Sequence, residues 1–270
     1  QRNVYKNRHG NKIIFEEVNK DLSLTFSYEW NSSHLYGFVR KARLTNHAAE
    51  SISVEVLDGL QNVLPYGVAS ALQNTTSNLA DAYKRSELLP DCGIGIFALS
   101  AIIVDKAEPS EALKANLVWS AGLNNPLYLL SAGQLGAFRN GKTLEQEEDV
   151  KGEKGAYFIS GSLQLAGGEE WNWLIAADVN QSQSSIIRLA DAIRNNPQLV
   201  KDVLADTEKG TLNLAGLVAA ADGLQYSADE AGNTRHLSNT LFNIMRGGIF
   251  DNHYSISKKD FVQYLRRANL

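Results

Sequence analysis

The densest run of groups that could do chemistry is Asp81-Ala82-Tyr83-Lys84-Arg85-Ser86-Glu87. Lys84 and Arg85 are adjacent cations that could hold an anion, and Glu87 could orient them. The favoured reading is plainer: a surface strand or helix laced by ion pairs, which are common and weak. Trp30, Trp119, Trp171 and Trp173 have flat faces that could stack on a sugar ring. A tryptophan at an alternating inward position is more often core, so Trp171 and Trp173 are expected there, while Trp30 stays a candidate platform.

Other groups are less organised. The five histidines, His9, His34, His47, His236 and His253, share no metal-site spacing on a helix, and neither HExxH nor GxSxG occurs. Asp251-Asn252-His253 carries ligand-type side chains but reads as a turn. Glu145, Glu147, Glu148 and Asp149 crowd beside Asn140-Gly141. Adjacent carboxylates in a turn lack the fixed separation of about 5–9 Å that glycoside chemistry needs, so a solvated hairpin edge is expected. Arg246 falls at the end of an expected helix, where a cation is favoured structurally. An anion-binding or inter-domain role is the alternative for Arg246 and His236. Asn31-Ser32-Ser33 and Asn74-Thr75-Thr76 match the glycosylation sequon, a pattern short enough to arise by chance. No complete catalytic constellation, metal site or cofactor motif is present.

These residues need elements to place them. From Leu22 to Trp30, apolar Leu22, Leu24, Phe26, Tyr28 and Trp30 alternate with polar residues, the signature of a half-buried strand. Further strands are expected at Tyr36–Leu44, with Thr45-Asn46-His47 as its turn, and at Ile52–Val56, Ile94–Val104, Ala115–Ala121 and Leu127–Leu130. Gln134–Phe138 and Lys142–Gln146 flank Asn140-Gly141 as a hairpin. Tyr157, Ile159, Leu163 and Leu165 share one face, as do Trp171, Trp173 and Ile175. The Ile94 run predicts a strand covered on both faces.

From Ser182 the period becomes helical. Ile186, Leu189, Ala190 and Ile193 form one stripe. Asn196-Pro197 opens a second helix, with Leu199, Val200, Val203 and Leu204 inward. Leu214, Leu217, Val218 and Ala221 suggest a third. Leu237, Leu241, Ile244 and Met245 suggest a fourth, ended by Gly247-Gly248 and expected to dock on the sandwich. Ser257-Lys258-Lys259-Asp260 opens a last helix with Phe261, Val262 and Leu265 inward. Strands followed by helices imply a mainly β antiparallel sandwich over residues 1–181 and a helical segment over 182–270.

Composition bounds the function. The 270 residues carry a net charge of −4, which argues against an electrostatic grip on nucleic acid. One cysteine, Cys92, excludes an intrachain disulfide. The longest apolar run is about 11 residues, against roughly 20 for a membrane span. A soluble protein is expected, the cytoplasm favoured over the periplasm or secretion. A start at Gln1 and an end just after an amphipathic helix suggest a piece of a longer chain.

Four segments together resemble a known family: Tyr36-Gly37-Phe38-Val39-Arg40 running on to Asn46, Val56-Leu57-Asp58-Gly59-Leu60-Gln61-Asn62-Val63-Leu64-Pro65, Ala82–Glu87, and Arg235-His236-Leu237 through Arg246-Gly247-Gly248. They resemble the N-terminal region of carbohydrate-active enzymes related to the cellobiose phosphorylases of glycoside hydrolase family 94. The resemblance implies a galactose-mutarotase-like super-sandwich of two large antiparallel sheets, then a helical linker leading into an (α/α) toroid. It implies catalytic carboxylates in that toroid, beyond Leu270. Trp30, Lys84, Arg85 and Glu87 then become candidate carbohydrate contacts, and His236 and Arg246 inter-domain contacts. The expected function is a non-catalytic scaffold or carbohydrate-binding domain of a larger glycoside hydrolase or phosphorylase-like enzyme. Its partners would be an oligosaccharide substrate and the toroid, with a homo-oligomer open. The alternatives are a free-standing aldose epimerase and an assembly module.

Overall fold

The computed structural model describes residues 1–75, 81–101, 113–248 and 255–268. Among them the strands are β1 (Arg2–Lys6), β2 (Ile13–Asn19), β3 (Leu24–Ser33), β4 (Gly37–Asn46), β5 (Ile52–Val63), β6 (Lys84–Leu89), β7 (Ile94–Leu99), β8 (Lys114–Ala121), β9 (Leu127–Leu129), β10 (Asp149–Lys151), β11 (Gly155–Leu165) and β12 (Glu170–Ser182). The helices are α1 (Ser70–Thr75), α2 (Leu135–Arg139), α3 (Gln183–Asn195), α4 (Leu199–Ala220), α5 (Glu230–Met245) and α6 (Lys258–Ala268). Nine strands form one antiparallel sheet in the order β1-β2-β3-β4-β12-β8-β7-β6-β10, and β5-β11-β9 form a second. The fold is mainly β, with the long helices last.

Alternation explains how the layers stack. On the inner face of the large sheet, Ala42, Leu44, Phe97, Val118, Trp173 and Ile175 pack against Tyr157, Ile159, Leu163 and Leu165 of β11, with Ile52, Val54 and Val56 of β5 beside them. Each such fully buried side chain stabilises the fold by about 1.5–3 kcal/mol. Asp58 Oδ2 ties the layers further. It accepts from Trp173 Nε1 at 2.7 Å and pairs with Arg40, whose guanidinium lies 4.1 Å from the centre of the Tyr28 ring.

The outer face is covered differently from the expectation of two large sheets. The second sheet has three strands among the described residues, and helices take the opposite side. Val39, Ile94, Leu117, Trp119, Leu174 and Ala176 pack against Ala190, Leu199 and Val203. Strand β7 is thus enclosed on both faces, with Ile94 and Ile96 outward and Phe97 inward. Residues 102–104 of that apolar run lie outside the described residues.

Several local expectations change. Asn140-Gly141 does not turn a hairpin but ends α2. Gly141 has φ +65°, its N–H donates to Phe138 O, and Lys142 N donates to Ala137 O. This is a Schellman cap, which needs the same left-handed residue that a hairpin turn uses. Strand β4 continues through Asn46, which is wholly buried; its Nδ2 donates to Glu50 O, Leu165 O and Ala166 O. The expected second and third helices are one, α4, because helical pairing propagates through Gly210 and Gly216 at a cost of only about 1 kcal/mol each. The helix starts later than expected, at Leu199 after Gln198, and Asn196 instead holds the turn before it, its Oδ1 accepting from Gln198 N at 2.9 Å. Helix α5 rests on α4 rather than on a sheet, with Thr240 against Gly223 and Val218 beside it. It ends as expected, Gly248 N donating to Asn243 O. Helix α6 starts at its Ser257 cap, but Phe261 and Leu265 are exposed rather than inward.

Candidate functional site

Strand pairing sets two rows side by side across the outer face, one polar and one of mixed polar and apolar residues. In the first, Asn3, Glu16, Ser27, Arg43 and Asn172 stand opposite one another on β1, β2, β3, β4 and β12. In the second, Tyr5, Ile14, Glu29, Lys41, Leu174 and Ala121 do the same and reach β8. Between them lies a trough of about 620 Å³, lined among others by Tyr5, Glu16, Ser27, Glu29, Lys41, Arg43, Gly122 and Asn172. Val200 and Leu204 of α4 form one wall. Helices α3 and α4 cover the outer face over β7, β8 and β12 and one side of β4 and β3, and the trough lies beside them.

The wall is fastened to the sheet by polar contacts. Asp206 Oδ2 accepts from Ser33 Oγ at 2.5 Å, His34 N at 2.8 Å and Leu35 N at 3.1 Å. Asn11 Nδ2 donates to Thr211 Oγ1 at 2.9 Å, and Lys12 pairs with Glu208. Helix α4 is therefore held at both the β1–β2 turn and the β3–β4 turn.

The trough's charges are paired. Burial pushes the Glu29 carboxyl up, but Lys41 at 2.8 Å, the nearby Asn31 amide and the charge of Lys12 outweigh it and hold the group below its usual value. Arg43 Nε donates to Asn172 Oδ1 at 3.2 Å, and the same guanidinium pairs with Glu170 at 3.5 Å. Glu16 Oε1 accepts from Asn3 Nδ2 at 2.9 Å and Tyr5 OH at 3.1 Å. That bond to Glu16, with some burial, raises the Tyr5 phenol above its usual value, so its OH stays a donor. The result is a surface of fixed hydrogen-bond donors and acceptors with two carboxylates, Glu16 and Glu29, balanced by Lys41 and Arg43. The arrangement is suited to binding.

The residues singled out from the sequence do not line this trough. Lys84 is 3% exposed, on the inner-face side of β6, paired with Asp81 at 2.6 Å and bonded to Gln73. Arg85 and Glu87 alternate to the other face, 2.9 Å apart, with Arg85 also on Asp149. The period of two in a strand separates neighbours that look contiguous in sequence. Trp30 is half-buried, opposite Ile13 and Arg40, and shares the inner face with Tyr28. His236 Nε2 contacts Asp222 O at 2.9 Å, joining α5 to the segment before it. Arg246 is exposed, with its guanidinium 5.2 Å from the centre of the Phe242 ring. The acidic cluster splits: Glu147 accepts from Leu130 N and Ser131 N, both at 2.8 Å, and so pins a loop. Asn31, in a sequon, is 4% exposed and closed to glycosylation in the folded chain. Asp251-Asn252-His253 and Thr76 lie outside the described residues. Among those that are described, no group of three or more His, Cys, Asp or Glu could hold a metal ion, and no helix is long and apolar enough to cross a membrane.

The trough residues are the polar partners in alternating strands, which the sequence marks only as outward-facing. Their convergence depends on register between strands far apart in the chain, as with Arg43 and Asn172.

No family model matches this chain, and no curated protein matches it. Among solved structures, it is similar to a bacterial glucoamylase complexed with acarbose, at 9% identity and TM-score 0.42, over 79% of this chain and 29% of that one. A galactose mutarotase-like protein from Clostridium acetobutylicum aligns at 10% identity and TM-score 0.29, over 67% of each chain. A 4-alpha-glucanotransferase from Thermococcus litoralis aligns at 12% identity and TM-score 0.25, over 65% of this chain and 22% of that one. The chain thus spans under a third of the glucoamylase's length.

Proposed function

We propose that this chain is a non-catalytic saccharide-binding sandwich domain and that the trough over β1–β4 and β12 is its binding surface. One observation carries the reading: carboxylate, amide, hydroxyl, ammonium and guanidinium groups line a single trough in cross-strand register, with balanced charge. Such a surface suits a neutral ligand dense in hydroxyls, because every hydroxyl both donates and accepts. The Tyr5 ring adds an apolar face at one end. The volume falls within the usual range of about 300–1,000 Å³ for small-molecule sites.

Titration calorimetry of the chain against gluco-, manno- and galacto-oligosaccharides tests this. Binding is expected to at least one series. Arg43→Ala is expected to weaken it about tenfold, the loss of one charge-assisted hydrogen bond or slightly more. Circular dichroism should be unchanged, since Arg43 is mostly exposed. No binding across the panel overturns the reading.

The sandwich is further proposed to scaffold a glycoside hydrolase or phosphorylase-like catalytic unit, on the strength of the sequence resemblance. The expected observation is a reading frame that continues past Leu270 into a helical toroid with paired carboxylates. A stop codon there removes this part of the proposal and leaves the binding surface intact.

A further inference from the structure

We propose that the trough takes a linear oligosaccharide laid across the strands, rather than a single sugar. This rests on the saccharide reading above. The trough is lined by six consecutive strands, from Tyr5 on β1, through β2, β3, β4 and β12, to Gly122 just beyond the end of β8. Five interstrand gaps of about 4.8 Å make it roughly 24 Å long. A volume of about 620 Å³ over that length leaves a narrow channel, wide enough for one extended chain.

Its polar groups recur at the strand spacing. Glu16 stands on β2, Ser27 and Glu29 on β3, Lys41 and Arg43 on β4, and Asn172 on β12. One interstrand gap is close to the length of one hexopyranose in a chain, so successive sugars meet successive strands. The two ends differ. Tyr5, 48% exposed on the edge strand, offers a ring at one end. Gly122, at the other, is closed against the Trp173 backbone, where a Cβ would come within 2.7 Å, and its carbonyl already accepts from Trp171 Nε1. The Tyr5 end is therefore the open one, where a longer chain gains contact.

Calorimetry of the full chain with one series of one to six units tests the inference. Affinity is expected to rise with each added unit up to about four or five and then level off. Tyr5→Ala should lower affinity for the pentasaccharide about fivefold to tenfold and that for the disaccharide by less, and Tyr5→Phe should restore most of the loss. Equal affinity for the monosaccharide and the pentasaccharide overturns the inference and leaves the saccharide reading standing. So does an equal loss for both lengths in Tyr5→Ala. Failure of every saccharide to bind overturns both.

Discussion

Asp206 shows how one side chain can hold a wall in place. Burial pushes its carboxyl up, but the Ser33 hydroxyl, the backbone N–H groups of Leu35 and His34, and the charge of Lys209 outweigh that and leave it below the usual carboxylate value. A carboxyl lower in the folded than in the unfolded chain contributes stability that is full above the unfolded value, near pH 4, and is lost as pH falls through the folded value. Asp206→Ala is therefore expected to cost about 1–2 kcal/mol at neutral pH, with the gap to the parent chain narrowing below about pH 4. Urea melts at a series of pH values measure this; a gap that widens on acidification contradicts it. Asn31 is the opposite case. It is buried on the outer face and makes no hydrogen bond of ordinary geometry, although its amide lies near enough to Glu29 to help hold that carboxyl low. An unsatisfied buried amide costs about 1–3 kcal/mol.

Element behaviour follows from caps and glycines. Helices α2 and α5 both stop on Schellman caps, at Gly141 and Gly247, where φ is positive. Helix α4 runs on past two glycines because nothing removes its hydrogen bonds. At Gly216 an added Cβ meets nothing within 4 Å. Gly216→Ala should therefore stabilise the chain by about 0.5–1 kcal/mol through helix propensity alone. A thermal melt with an unchanged or lower midpoint would mean that this stretch of α4 is frayed. The same helix supplies both a core layer, through Leu199 and Val203, and a trough wall, through Val200 and Leu204. The two roles sit on adjacent stripes of one surface, as a 3.6-residue period allows.

For the whole molecule, the large sheet is the central layer, covered inward by three strands and outward by α3 and α4. Helix α6 contributes no buried side chain. Ending the chain at Gly248 should leave the melting temperature within about 2 °C of the parent, a shift of about 1 kcal/mol or less. Ending it at Ser182 exposes Val39, Leu174 and Ala176, and should yield a chain that melts far lower or fails to fold. Equal melting temperatures for the two truncations would contradict the layered arrangement.

The sequence by itself determined the class of each strong segment. Alternation set Phe26 with Tyr28, Ile159 with Leu163 and Trp171 with Trp173 on one face of each strand, and the switch to a 3.6 period after Ser182 marked the helices. Both are local consequences of backbone geometry. Local information also misleads where one signal serves two structures, as Asn140-Gly141 did, or where strand alternation parts Lys84 from Arg85. The trough was decided by tertiary structure alone. Glu16, Glu29, Arg43 and Asn172 are ordinary outward-facing residues until antiparallel register sets them in rows and α4 closes one side. Register is a long-range agreement among hydrophobic faces, and no single strand contains it.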